Sequence, residues 1–343
     1  MRFTGASAAS KRARIAEILR QSGDAACLLS APDSIAWLLN IRGGDVPNSP
    51  LALGFAVLYD DARVDLFMDA IKLDKDLGAW LGDQVAVRAP GDLGPVLDGL
   101  AANGRRLRAD AAGAASWIFE RVAAAGGDIH RGPDPCALPK ACKSDAELDG
   151  ARAAHLRDGV ALTRFLHWFD GRAHDGGLTE IDAADHLQSL RAENELFRGL
   201  SFRTIAGSGA HGAIVHYGVT EATNRRLEPG ELFLLDSGGQ YLDGTTDVTR
   251  TLAVGEPSAD MRRHFTAVLK GHIALGSALF PTGTSGHQLD CLARSPLWRL
   301  GLDYDHGTGH GVARYLGVHE GPQGISKRPN ELAVTPGLIV SNE

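Results

Sequence analysis

Long apolar runs are missing from this sequence: no stretch of about 18 apolar residues, the length a membrane-spanning helix needs, occurs in its 343 positions. Met1 to Ser10 are small and polar, without the apolar core of a secretory signal. Cysteine is sparse, and Cys27, Cys136, Cys142 and Cys291 lie without metal-type spacing. They are expected to be core thiols in a reducing compartment, not a disulfide framework, and the chain is expected to be cytoplasmic. Basic charge is also short. With 35 basic against 42 acidic residues, the net charge of -7 offers nothing to attract nucleic acid or a membrane surface. The familiar catalytic signatures are absent too. No phosphate loop or Gly-x-Gly-x-x-Gly follows a strand, and Gly283-Thr-Ser-Gly286 lacks the spacing of a nucleophile elbow, so Ser285 reads as a helix cap. His319-Glu320 runs into Gly321-Pro322, which excludes a His-Glu-x-x-His helix.

What is present centres on Glu231 to Leu252. An apolar run, Leu232 to Leu235, ends in Asp236; Gly238, Gly239 and Gly244 permit a reversal; and Asp247 lies in an alternating run from Thr246 to Leu252. A β-hairpin of this kind brings Asp236 and Asp247 together. Two buried aspartates repel by several kcal/mol unless one is protonated or a cation lies between them. The alternative is a surface hairpin whose aspartates serve the turn.

At this length two domains are expected. Lys11 to Gln21 reads as a helix capped by Ser10; Ala26 to Leu29, Leu53 to Tyr59, Val64 to Met68, Gln84 to Val87 and Arg105 to Ala109 read as strands; and Leu73 to Leu81, Leu93 to Leu100 and Ala115 to Ala124 as helices. This is an α/β domain with a largely buried sheet. Three prolines and a glycine between Arg131 and Pro139 mark a linker, giving domains at 1–139 and 140–343. Beyond it, Ser144 to Glu147 is a capping box opening a long helix whose apolar residues include Leu156, Val160, Phe165 and Phe169. A second helix runs from Thr179 to Glu193, with Glu180 and Asp182 as start signals. Strands then follow at Leu200 to Ile205, Gly212 to His216, Leu232 to Asp236 and Thr246 to Val254, helices at Asp260 to Leu279 and Ser285 to Trp298, and a last strand from Leu338 to Glu343. Helices and strands are segregated, an α+β pattern.

Four clusters accompany the hairpin. His216 ends an apolar run, His306 and His310 flank Gly-Thr-Gly, His319 precedes Glu320-Gly-Pro, and Glu343 ends the last strand. One histidine with three carboxylates is a hard oxygen and nitrogen set suited to Mn, Co or Zn. Singly, each has a plainer reading: a hydrogen-bonded strand-end histidine, a tight glycine loop, a turn cap, an exposed terminal carboxylate.

Together, Phe233-Leu-Leu-Asp236-Ser-Gly-Gly-Gln-Tyr, Asp247-Val-Thr-Arg-Thr, His306-Gly-Thr-Gly-His310-Gly, Val318-His319-Glu320-Gly-Pro and Ile339-Val-Ser-Asn-Glu343 resemble, in order, the signatures of the Xaa-Pro aminopeptidases, a group of the metallopeptidase family that also holds prolidase and creatinase. Ala36 to Pro50 and Pro139 to Leu148 resemble the large cytosolic, multi-domain branch. The resemblance implies a creatinase-like α/β domain followed by a pita-bread α+β domain. It implies two divalent ions, manganese before cobalt or zinc, held by Asp236, Asp247, His310 and Glu343, with Asp247 shared and a hydroxide between the ions. It gives His216, His306 and His319 to the substrate pocket, as stabilisers of the reacting carbonyl or leaving amine. The implied substrates are peptides with proline in second place, with prolidase-like or creatinase-like hydrolysis as the alternative, and the implied assembly is a homodimer. The branch has a further domain before the segment matching residue 10, and a second bridging glutamate, the proton shuttle, on the strand after Glu343. The chain is accordingly expected to be a fragment, truncated in its second domain and inactive alone or nearly so.

Overall fold

The computed structural model describes residues 2–74, 76–173 and 176–343. Its contacts divide the chain into two compact units, Met1–Lys140 and Ala141–Glu343.

In the first unit, helix α1 (Ala8–Ser22) is followed by β1 (Ala26–Leu29), α2 (Pro32–Leu39), β2 (Phe55–Tyr59), β3 (Val64–Phe67), α3 (Leu77–Leu81), β4 (Val85–Arg88), α4 (Leu93–Ala102), β5 (Leu107–Ala109), α5 (Ser116–Ala124) and β6 (Ile129–Arg131). The strands form one mixed sheet in the order β4-β3-β2-β1-β5-β6. Leu28, Val57, Phe67 and Leu107 from the sheet pack with Leu97 and Ile118 from α4 and α5, the burial expected of an α/β layer.

Several expectations shift here. The cap of α1 is Ser7, not Ser10: its side chain accepts the Ser10 amide, so the helix starts three residues before Lys11. Helix α2 was not expected at all, because Ser34 to Leu39 are all buried and leave no polar face to reveal a helical period. The expected helix over Leu73 to Leu81 is reduced to α3, with a separate 3-10 turn at Ala70–Lys72; Lys75 lies outside the described residues. Only Cys27 and Cys136 are buried thiols, whereas Cys291 is exposed.

Helix α6 (Ala137–Ala141) precedes the long α7 (Asp145–Arg172) and α8 (Glu180–Ala192). Capping boxes open both, Ser144 with Glu147 and Thr179 with Asp182. The buried face of α7 runs through Ala151, Ala154, Asp158, Phe165 and Phe169, while Leu156 and Val160, expected inside, are 72% and 55% exposed. Phe165 and Phe169 pack with Leu187 of α8 and with Phe233 and Leu235.

The remaining elements are β7 (Phe197–Leu200), β8 (Ile205–Ser208), β9 (Leu232–Ser237), β10 (Gly239–Tyr241), β11 (Gly244–Thr245), β12 (Val248–Ala253), α9 (Ala259–Gly276), α10 (Gly286–Trp298), β13 (Gly309–Gly311) and β14 (Glu320–Ile325). The expected hairpin is present, with β9 antiparallel to β12 and Asp236 opposite Thr249. Its turn is more elaborate than three glycines suggest. Strands β10 and β11 form a second hairpin inside it and join β7 in a separate sheet, while β8 pairs the other edge of β9. Gly238 sits at the crossing, where a Cβ would lie 1.9 Å from the Thr246 carbonyl oxygen. Gly244 lets the inner hairpin press on α7, where its Cβ would lie 2.8 Å from that of Ala154.

Three other strand expectations fail. Of the strand expected over Leu200 to Ile205 only the end residues are strand, Leu200 closing β7 and Ile205 opening β8, with 201–204 the gap between them. Gly212 to His216 is not a strand: Gly209–Ala213 is a 3-10 turn, and His216 has left-handed backbone at φ 58. Ile214 and Val215 there are 52% and 61% exposed, so the apolar run that suggested a strand is not core. Leu338 to Glu343 is extended and bridges β13 only at Gly311 and Val340, although Ser341 and Glu343 donate their amides to the carbonyls of His310 and Thr308, both at 2.8 Å. Conversely, His310 lies on β13 and Glu320 opens β14, positions expected as loops.

Candidate metal centre

Asp236 is the penultimate residue of β9, the central strand of its sheet, and Asp247 immediately precedes β12. His310 is the middle residue of β13, and the segment ending in Glu343 lies beside it. The imidazole of His310 is oriented by its own strand: Nδ1 donates to the Gly311 carbonyl at 2.9 Å. Its other nitrogen, Nε2, then faces Asp247 Oδ2 at 3.2 Å and Glu343 Oε1 at 3.0 Å. Ser341 fixes the far side of this arrangement, its hydroxyl donating to Glu343 Oε1 at 2.8 Å and accepting the His310 amide at 2.9 Å. Ligand atoms of Asp247, His310 and Glu343 all lie within 4.8 Å of one another, a spacing one cation could share.

Asp236 stands outside that group of three yet belongs to its electrostatics. Burial, then the charge of Asp247, push its carboxyl up to about 7, against a hydrogen bond from Thr249. One of its oxygens, Oδ1, is buried without a hydrogen-bond partner among the described residues. For His310, burial favours the neutral ring, but the hydrogen bonds to Asp247 and Glu343 prevail and raise it to about 10. Glu343 moves the other way, below the ordinary carboxylate range, because His310 and Ser341 outweigh its burial. Positive charge between these carboxylates is therefore strongly favoured, and a proton on His310 Nε2 supplies it when no metal is bound. An orphaned buried carboxylate oxygen, a histidine with its second nitrogen already engaged, and an all oxygen and nitrogen donor set fit a divalent cation.

The three remaining histidines gather around this cluster from separate segments. The His319 ring lies 4.1 Å from that of His310, and the His216 ring 6.4 Å from His319. Burial and the neighbouring His310 lower the His319 pKa, so its ring is neutral at pH 7. His306 is exposed and stacks on Tyr304 at 4.6 Å. Its loop is held from beneath by Arg294 of α10, wholly buried, which donates to Asp290, to Asp303 and to the carbonyls of Tyr304 and His306 while lying 3.8 Å over the Tyr304 ring. Neither Arg294 nor Ser341 stood out in the sequence: one lies mid-helix, and the other is a small residue beside a more conspicuous glutamate.

Residues 149–343 match the model of metallopeptidase family M24, and residues 1–147 match the creatinase/prolidase N-terminal domain. The chain belongs to metallopeptidase family M24, with a creatinase-type α/β domain followed by the pita-bread domain. It is 39% identical over 356 residues to a probable Xaa-Pro aminopeptidase P from Ajellomyces dermatitidis, an alignment covering 99% of this chain and 58% of that protein. Aminopeptidase P2 of Arabidopsis thaliana is 41% identical over 373 residues, covering 100% and 52% of the two chains. Among solved structures, X-prolyl aminopeptidase from Caenorhabditis elegans, described as a cytosolic enzyme with a di-nuclear active site, superposes with a TM-score of 0.92 at 36% identity, over 99% of this chain and 56% of that one. The chain thus spans little more than half the length of these relatives. Among the described residues, no helix is long and apolar enough to cross a membrane.

Proposed function

We propose that the protein to which this chain belongs removes the N-terminal residue from peptides with proline at the second position, working in the cytoplasm as a homodimer with two divalent ions, manganese before cobalt or zinc. The observation that carries this reading is the convergence of Asp247, His310 and Glu343 beside a half-buried Asp236 whose Oδ1 is buried without a hydrogen-bond partner among the described residues. The substrate class rests on the Xaa-Pro aminopeptidases to which the chain is similar over its whole length.

Asp236, Asp247, His310 and Glu343 would hold the ions. When bound, such a pair supplies an acidified water and polarises the scissile carbonyl. Asp236 would bind as an anion, so ion uptake would expel the proton that burial favours on it, and occupancy would rise with pH. His319, neutral at pH 7, presents an N–H to the developing oxyanion. His216 stands one ring further out, placed to meet the departing imide nitrogen. His306, exposed on its braced loop, is assigned to the substrate pocket on the resemblance to the Xaa-Pro aminopeptidases.

The test pairs a peptide beginning Arg-Pro-Pro with an Xaa-Pro dipeptide, each incubated with added Mn²⁺ and the purified whole protein, the 343-residue chain alone being expected to be inactive or nearly so. Release of arginine from the longer peptide is the expected result. Cleavage of the dipeptide alone would move the assignment to a prolidase, and elemental analysis showing no bound divalent metal would remove the centre altogether.

A further inference from the structure

The backbone of His216 is unusual. It is one of few non-glycine residues with positive φ, at 58, and it follows two exposed apolar residues on a short turn. A non-glycine residue is uncommon in left-handed backbone and persists there where its surroundings determine it. Such determination is visible close by, and it converges on one side chain. Glu180, the first residue of α8, is wholly buried. Its Oε1 accepts the Ser208 amide at 2.7 Å and His211 Nδ1 at 2.9 Å, and its Oε2 accepts the Tyr217 hydroxyl at 3.3 Å and the Arg225 amide at 3.4 Å. All four donors belong to the segment from the end of β8 to Arg225, which contains His216. Tyr217 is its immediate neighbour, and the Tyr217 ring packs against His211 at 4.4 Å between centroids. The Glu180 amide also donates to the Arg225 carbonyl at 3.1 Å, closing the loop onto the helix start.

We propose that Glu180 is a positioning residue for His216: a buried carboxylate that ties both flanks of the loop to α8 and so fixes where the His216 imidazole stands beside His319. The role rests on the proposed reaction for its consequence, but not for its geometry. A carboxylate suits the position because all four neighbours are donors and ionised carboxyl oxygens can only accept. A glutamine of the same shape would turn an amide N–H₂ toward two of those donors.

The experiment uses Glu180→Gln and, because a buried carboxylate with four donors can be needed for folding, also Tyr217→Phe, which removes one bond and keeps the ring. In the metal-free protein, the histidine ring ¹H–¹³C signals are recorded, with His216 assigned from its loss in His216→Ala. The His216 signal is expected to shift or broaden in both variants while that of His130, on β6 of the first unit, holds. An unmoved His216 signal in folded variants would overturn the proposal. In the metal-loaded enzyme, Glu180→Gln is expected to lower kcat about ten- to a hundred-fold, the scale of a small misplacement, with KM nearly unchanged. Added to His216→Ala, the same substitution should cost little more, whereas a fully additive loss would assign Glu180 a merely structural role. If the wild type cleaves no Xaa-Pro peptide, the proposed reaction fails and the resonance measurement still decides the role of Glu180.

Discussion

Two aspartates of the second unit, Asp158, buried, and Asp236, half-buried with one oxygen out of solvent, have opposite surroundings. Asp158, on α7, receives Arg191 Nε at 2.7 Å and Nη2 at 2.9 Å, and its Oδ1 also accepts the Tyr241 hydroxyl at 2.8 Å. Asp236 has another carboxylate, Asp247, as the charge that acts on it most strongly, and an oxygen with no partner among the described residues. The same fold therefore pairs one carboxylate bidentately and leaves the other in electrostatic debt. Structural burial tends toward the first arrangement, since an unpaired buried charge is costly. The second persists where something outside the chain is to complete it, which makes Asp236 informative about function and Asp158 informative about stability.

Breaking the satisfied pair should have the largest effect. Asp158→Ala strands the wholly buried Arg191 and is expected to destabilise the protein by about 3–5 kcal/mol, read from urea denaturation. Asp236→Asn should do the reverse in metal-free protein. The folded pKa of Asp236, about 7, lies above its ordinary value of 3.8. Its contribution is therefore fully present below pH 4 and is lost as pH rises through 7. His310, raised to about 10 from 6.5, adds stability below pH 6.5 that is lost as pH rises through 10. Metal-free protein should thus weaken continuously between about pH 4 and 10. Asp236→Asn should recover roughly 4 kcal/mol at pH 8, at about 1.4 kcal/mol per pKa unit, and lose the first limb of the profile. Added Mn²⁺ should reverse the trend, because ligands must be deprotonated to bind it; at a hundred times its Kd it would stabilise by about 2.7 kcal/mol. A thermal-melt series at pH 5, 7 and 9, with and without Mn²⁺, reads both slopes. Parallel profiles for wild type and Asp236→Asn would show that Asp236 carries no such strain.

The difference between these aspartates was only half legible in the sequence. Asp236 and Asp247 flank glycines in a pattern that announces a hairpin, and the register of β9 with β12 brings their ends together as the alternation implies. His310 and Glu343 were singled out by the family resemblance more than by their local pattern, which allowed a tight glycine loop and a terminal carboxylate, and the structure brings both beside Asp247. Asp158 was not, because its partners Arg191 and Tyr241 lie 33 and 83 residues away, and nothing local distinguishes it from other polar positions of α7. Glu180 was visible only as a helix start signal, its accepting role depending on donors 28 to 45 residues distant. The sequence misled most at His216. Its preceding Ile214 and Val215 have strand propensity, but both are exposed and the backbone turns left-handed. Propensity describes what a segment prefers alone, and here the tertiary contacts around Glu180 override it.

The smallest expected effect calibrates the rest. Ser258 caps α9, its hydroxyl accepting the Met261 amide at 3.2 Å on an exposed helix end. Removing that acceptor leaves a backbone N–H to water and takes no charge from the protein, so Ser258→Ala should cost about 1 kcal/mol. The loss should be the same at pH 5 and pH 9, with or without Mn²⁺, because neither proton nor metal ion is linked to the cap. Subtracting this flat offset from the Asp236→Asn profile leaves the part that belongs to charge. If Ser258→Ala tilted with pH as steeply as Asp236→Asn, the slope would reflect the net charge of the whole molecule, and the contrast between the satisfied and the unsatisfied aspartate would lose its electrostatic basis.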